Sequence, residues 1–198
     1  MSSSPVIIAT GGANLSSLKF ALGRLGVEPV VTEDPELIRS SSHVILPGVG
    51  AASDAMSRLK TAKLIDVIRD LKQPVLGICL GLQLLYSRSE ENDAVCLNII
   101  PGHASRFSGN PDLPVPQMGW NSLSRIKNIP LMKGVKDGDY AYFIHSYALP
   151  VDEYTCATTD YGTNFSAVVQ CNNFFATQFH PERSSRVGSL ILANFLNN

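Results

Sequence analysis

Cys79 stands in Gly77-Ile78-Cys79-Leu80-Gly81, a glycine-x-nucleophile-x-glycine spacing with a thiol where a hydroxyl is the commoner group. An apolar run from Pro74 to Ile78 precedes it and Leu82-Gln83-Leu84-Leu85 follows, so the cysteine falls where a buried strand becomes a helix. Strand, tight turn and helix are the setting of a nucleophile elbow. A turn that sharp brings the two backbones together, and a Cβ at position 77 or 81 would collide. It lifts the sulfur to the end of the sheet and aims the Leu80 N–H, near a helix N-terminus, at whatever the sulfur attacks. Such a thiol attacks an acyl carbon once a base takes its proton. The competing structural reading is a cysteine buried at a glycine-flanked strand end.

A base is available in His180-Pro181-Glu182, which follows an apolar stretch over 174–179. Residues two apart share a side of an extended chain, so the Glu182 carboxylate reaches one imidazole nitrogen and leaves the other for a nucleophile. Alone, the segment reads as a loop before a helix, with Glu182 favourable near the helix N-terminus; beside a glycine-flanked cysteine it reads as two thirds of a triad. His145 is followed only by Ser146 and Tyr147 and reads as structural or pocket-lining, while His43 and His103 have no supporting neighbours. Pro47-Gly48-Val49-Gly50 follows a strand at the same sheet edge as Cys79, the edge where ligands of open α/β sheets collect. Its glycines let backbone N–H groups approach an oxyanion, or let one peptide flip toward it. Gln83 lies one helical turn past Cys79 and offers a carboxamide on the same face. Trp120, in Met118-Gly119-Trp120-Asn121, reads either as a core aromatic or as an interface anchor.

The elements that must position these groups alternate. Apolar strands are expected over 6–10, 28–32, 43–46 and 74–78. Helices are expected over 15–25 (ended by Gly26), from Asp34-Pro35 with Asp34 as cap, from the Pro-Gly-Val-Gly loop to about Leu71, and after Cys79. That order predicts an α/β fold with an open, mostly parallel central sheet covered by helices on both faces. Past about Ala94, β-type runs over 117–125, 140–148, 154–159, 166–170 and 174–179 read as antiparallel strands extending or flanking the sheet, and a last helix spans about 184–195.

The 198 residues read as one domain, 1–198, with no break in composition. Charged residues make up 17%, against ~25% in ordinary globular chains, which leaves much uncharged surface and favours a protein with a partner. A net charge of −1 without a basic stripe argues against nucleic acid. No apolar run approaches the ~18 residues of a membrane span, and the start lacks a secretory signal. Cys79, Cys96, Cys156 and Cys171 form no metal-ligand spacing, so no metal is expected and a reduced, cytoplasmic protein fits. Gly11-Gly12-Ala13-Asn14 does not match G-x-G-x-x-G, which disfavours a dinucleotide; no cofactor is expected.

Taken together, the chain resembles the class I, triad-type glutamine amidotransferases, and more narrowly the family of glutaminase subunits of imidazole glycerol phosphate synthase from histidine biosynthesis. The resemblance spans nearly the whole chain. It rests on Gly12-Ala13-Asn14-Leu15, Leu46-Pro47-Gly48-Val49-Gly50, Gly77 to Gln83, Met118-Gly119-Trp120-Asn121, His145-Ser146-Tyr147 and Gln178 to Ser184. One departure is Thr10, where the family often carries an acidic residue. The resemblance implies a flavodoxin-like fold, Cys79 as nucleophile, His180 as base and then acid, and Glu182 as orienter. It implies Val49 and Leu80 as oxyanion donors and Gly50, Gln83, Ser146 and Tyr147 as contacts of the substrate glutamine. Asn14 and Trp120 would lie toward a separate (βα)₈-barrel cyclase subunit, which forms a heterodimer with this chain and receives its ammonia. It also implies weak glutaminase activity until that partner binds its ligand. If the peptides over 48–50 reorient as the switch, alanine at Gly48 or Gly50 should disturb activation more than complex formation. The alternatives are the glutaminase of another class I amidotransferase, such as the pyridoxal-phosphate or anthranilate type, a free-standing cysteine γ-glutamyl hydrolase, and an inert docking scaffold.

Overall fold

The computed structural model describes residues 4–9, 15–48, 50–109 and 111–198; the expected turn at 11–14, Thr10 and Val49 lie outside them. In chain order the elements are β1 Val6–Ile8, α1 Leu15–Arg24, β2 Val30–Thr32, α2 Pro35–Ser40, β3 Val44–Leu46, α3 Ala52–Thr61, α4 Ile65–Arg69, β4 Val75–Ile78 and α5 Leu80–Leu85. There follow β5 Arg88–Ser89, β6 Ala94–Val95, β7 His103–Arg106, β8 Gln117–Ser122, β9 Tyr140–His145, β10 Tyr147–Ala148, β11 Thr155–Asp160, β12 Asn164–Cys171, β13 Phe174–Thr177 and α6 Ser185–Leu196.

A seven-stranded sheet in the order β11-β12-β13-β4-β3-β1-β2 forms the centre, with β4 in its middle. From β13 to β2 all neighbours are parallel, and β11 and β12 add an antiparallel flank. Successive strand residues enter opposite cores, as a strand covered on both faces requires. Val6, Ile8, Val44, Leu46 and Val75 pack with α2, α3, α4 and α5 through Ile38, Leu59, Ile68 and Leu82. Ile7, Ile45, Leu76 and Ile78 pack with α1 and α6 through Leu22, Ile191 and Phe195. Two smaller sheets, β10-β7-β5-β6 and the hairpin β8-β9, stand beside this unit. Among the described residues no helix is long and apolar enough to cross a membrane.

Local signals explain the ends. Asp34 caps α2 by accepting from the Glu36 N–H at 2.8 Å, with Pro35 at the first helical position. Gly26, at φ 77°, closes α1 in a Schellman turn in which the Val27 N–H reaches the Leu22 carbonyl at 3.1 Å.

Several expectations need correction. The helix expected to run to Leu71 breaks after Thr61, because Lys63 takes φ 57° and the Leu64 N–H reaches back to the Leu59 carbonyl at 2.8 Å. This is the same turn without a glycine, held by burial of both leucines. The 174–179 strand is not antiparallel to all its neighbours: β13 runs parallel to β4, Thr177 beside Ile78. The single strand expected over 140–148 divides at Ser146, and its last two residues join the small sheet. Strands β5, β6 and β7, two to four residues long, were not anticipated.

Candidate active site

Adjacent parallel strands β3, β4 and β13 end at one edge of the large sheet and deliver Pro47-Gly48, Cys79 and the 178–182 segment to the same place. The corner at Cys79 is tight and strained. Cys79 sits at φ 55°, ψ −105°, a conformation that costs a non-glycine residue about 1–3 kcal/mol. A Cβ on Gly77 would lie 2.8 Å from the Gly81 carbonyl group, one on Gly81 2.0 Å from the Leu46 oxygen, and one on Gly48 2.4 Å from the Leu80 Cβ. The glycines are thus required by close approach of three backbones, as the spacing predicts for 77 and 81.

The imidazole of His180 is held from both sides. Its Nδ1 lies 2.9 Å from the Glu182 carboxylate, and its remaining edge hydrogen-bonds the Cys79 side chain. Burial by itself would push this imidazole down; the hydrogen bonds and charges of Cys79 and Glu182 override it and raise the pKa to about 10. The loop is fixed from outside the sheet: the His180 N–H donates to the Tyr142 carbonyl at 3.0 Å, and the Ser184 hydroxyl donates to the His180 carbonyl at 2.7 Å while accepting from the Tyr142 N–H at 2.9 Å. A thiol, an imidazole and a buried carboxylate in this order can carry out nucleophilic acyl transfer.

These groups open onto a cavity of about 400 Å³ whose lining includes Gly50, Leu80, Gln83, Ser146 and Tyr147 beside Cys79, His180 and Glu182. Gln83 donates to the Tyr147 carbonyl at 3.1 Å, and its buried side-chain oxygen has no partner. Trp120 is not part of this lining; it is 53% exposed on β8 and packs edge-on against Tyr142, whose ring also carries the Arg183 guanidinium at 5.2 Å. Asn14 and Val49 fall outside the described residues. His145 is a cavity-lining group, as its sequence context predicts. Its Nδ1 donates to the Tyr147 carbonyl at 2.8 Å, its Nε2 meets the Gln117 carboxamide at 2.9 Å, and burial pushes its pKa down to about 4 against that backbone bond, the His180 charge adding to the fall.

Sequence reasoning missed three neighbours. Glu91 lines the cavity while accepting the Ala52 N–H at 2.8 Å, so it caps α3 where the Ala51 methyl group can accept no hydrogen bond; nothing in its spacing from Cys79 signals this. Arg183 lines the cavity too and simply follows Glu182. Gln178 places its amide nitrogen 3.8 Å from the Cys79 sulfur. The two-residue period that ties His180 to Glu182 extends back to Gln178, so this one was legible.

A family model described as glutamine amidotransferase class-I matches residues 6–198. The imidazole glycerol phosphate synthase subunit HisH of Idiomarina loihiensis is 49% identical over 191 residues, covering 96% of each chain. HisH of Haemophilus influenzae is 50% identical over 192 residues, covering 96% of this chain and 95% of its own. Among solved structures, one titled glutamine amidotransferase matches with a TM-score of 0.75 at 18% identity over 98% of both chains. A glutamine amidotransferase from Thermotoga maritima matches at 0.64 and 17%, covering 98% of this chain and 82% of its own; both likenesses speak for the fold. On the family match and these identities, the chain belongs to the class-I glutamine amidotransferase family and, within it, groups with the HisH subunits.

Proposed function

We propose that the chain is the glutaminase subunit of an imidazole glycerol phosphate synthase, with Cys79, His180 and Glu182 as its catalytic triad. The observation that carries this reading is the strained Cys79 corner beside the His180–Glu182 pair, all three lining a cavity with room for a free amino acid. His180 takes the thiol proton through the nitrogen that Glu182 leaves free, and the thiolate attacks the side-chain carboxamide carbon of glutamine. The backbone N–H groups of Leu80 and Val49 receive the oxyanion. His180 returns the proton to the departing ammonia, and water then cleaves the thioester to glutamate.

Gly50, Ser146 and Tyr147 hold the glutamine together with Gln83, whose unpartnered oxygen accepts from a substrate N–H. Glu91, a carboxylate on the cavity wall, suits the α-ammonium group. Free ammonia at neutral pH is mostly protonated and no longer nucleophilic, so the reaction needs an acceptor site close by. The relatives are named as subunits of imidazole glycerol phosphate synthase, which supports placing the acceptor on a separate (βα)₈-barrel cyclase subunit in a heterodimer. The exposed Trp120 and the Arg183–Tyr142 pair beside the cavity offer the aromatic and arginine anchors such a contact uses, and the family resemblance adds Asn14 to that contact. The four cysteines carry free thiols, and a reducing cytoplasm suits a nucleophilic one.

Labelling with a glutamine-derived diazo-ketone and mapping the adduct tests the site, and glutamate release with a barrel subunit and its phosphoribosyl ligand tests the assignment. Label on Cys79 alone and release stimulated by the liganded partner are expected. Label on Cys96, Cys156 or Cys171 overturns the site, and full turnover by the isolated chain overturns the need for a partner.

A further inference from the structure

Within contact of the Cys79 sulfur, and not among the cavity-lining residues, lies a group that the triad does not use. The pairing of β13 with β4 sets Thr177 beside Ile78, and the next residues along, Gln178 and Cys79, come together past the strand ends. Gln178 is fully buried and stands outside the cavity lining. Its Nε2 lies 3.8 Å from Sγ, and its Oε1 is buried without a hydrogen-bond partner. A buried carboxamide with one unpaired end is a costly residue at a site where methionine has nearly the same shape. The one polar contact it makes is to the nucleophile. The sulfur also lies 3.6 Å from the carbonyl of the cavity-lining Ile144, an acceptor that favours the thiol and repels the thiolate.

We propose that Gln178 is a catalytic residue: its amide N–H donates to the Cys79 sulfur, favouring the thiolate over the thiol and offsetting the Ile144 carbonyl. The inference rests on the assignment of Cys79 as nucleophile. The proton released goes to His180, so the step is complete without any further reactant. Among the described residues, the titratable and charged groups facing the sulfur's surroundings are His180 and Glu182 on the loop after β13, His145 on β9, Glu91, and Arg183 at the cavity wall. They are common to wild type and variant, so a difference between the two reports Gln178.

The test is the rate of Cys79 alkylation by iodoacetamide against pH, followed by mass mapping, for wild type, Gln178→Met and Gln178→Glu. Gln178→Met removes the donor and the unpaired oxygen together, so its melting temperature is expected to match or exceed that of wild type. Its alkylation at pH 7 is expected to fall about tenfold, the weight of one hydrogen bond to a charged group. Its rate should rejoin the wild-type rate at the alkaline end of the profile. Gln178→Glu, with a carboxylate against the sulfur, should shift the profile further in the same direction. Coincident profiles for wild type and Gln178→Met overturn the proposal, as does a loss equal at all pH values, which marks a packing role. Failure of wild-type Cys79 to react with the glutamine-derived diazo-ketone instead overturns the site assignment on which the proposal stands.

Discussion

The Cβ that Gly188 lacks would stand 1.7 Å from the carbonyl oxygen of Pro181. Helix α6 therefore rests its backbone directly on the turn that holds His180 and Glu182, so the loop proposed to carry the base is positioned by a helix outside the proposed triad. Gly188→Ala is expected to push that turn outward. Overpacking of this kind costs about 1–3 kcal/mol, and an ångström of displacement at the base is enough to lower kcat roughly a hundredfold. Thermal melts and glutaminase kinetics check both. Gly23→Ala is the control: its Cβ meets nothing within 4 Å on the exposed side of α1, so it should gain about 0.5–1 kcal/mol through helix propensity and leave kcat unchanged. Equal behaviour of the two variants would show that the Pro181 contact is soft.

Cys79 carries its strain in the backbone, so the two smallest replacements should rank against the usual order. Glycine is normally worse than alanine by up to about 1 kcal/mol. At φ 55°, ψ −105° alanine keeps the strain and glycine releases it, by about 1–3 kcal/mol. Cys79→Gly is therefore expected to melt above Cys79→Ala, both being inactive. Denaturant unfolding of the pair at neutral pH measures the difference. The reverse order would mean that the corner is not strained.

How much of this was readable beforehand follows from where each signal lives. The corner was legible because Gly77 and Gly81 are demanded by local close approach, and local demands leave residue types at fixed spacing. His180 and Glu182 were legible for the same reason, being two apart on an extended chain. Gly188 was not, because what it avoids is a carbonyl brought to it by the tertiary fold. Lys63 hid the break between α3 and α4: a lysine in the left-handed region carries no mark in the sequence, and burial of Leu59 and Leu64 stabilises the turn from a distance. The direction of β13 was equally hidden, since a buried apolar run reads the same whether its neighbour is parallel or antiparallel. Strands of two residues such as β5 and β6 are too short to show a period at all.

His145 makes a pH prediction with a definite sign. Its folded pKa of about 4 lies below the unfolded value of 6.5 because burial disfavours the charged ring. The unfolded chain thus binds a proton that the folded chain refuses between these values, and stability falls as pH drops through that window. Above pH 6.5 the contribution is fully present; by pH 4 the loss amounts to roughly 3 kcal/mol. His145→Asn keeps a donor near the Tyr147 carbonyl and cannot titrate, so its stability should be flatter from pH 7 to 4.5. Urea unfolding at the two pH values measures this, and parallel slopes for wild type and variant would remove His145 from the account.

Gly48 and Gly50 look alike in the sequence, and the structure separates them. A Cβ on Gly48 would lie 2.4 Å from the Leu80 Cβ and 2.7 Å from the Gly81 nitrogen, so Gly48 is wedged against the nucleophile corner. Gly50 takes φ 95° with open space around it, the condition of a residue free to change conformation. The expectation that either substitution disturbs activation more than complex formation therefore divides into two different predictions. Gly48→Ala should cost about 1–3 kcal/mol and lower glutamate release with and without the partner, because it displaces Leu80 itself. Gly50→Ala should leave stability within about 1 kcal/mol and partner affinity within about twofold, yet reduce the stimulation by the partner's ligand about tenfold, since the loop next to the oxyanion site can no longer reorient freely. Titration calorimetry of the complex beside ligand-stimulated glutamate release distinguishes the two. If Gly50→Ala weakened assembly as much as stimulation, the loop would be a docking element and the switch would have to be sought elsewhere.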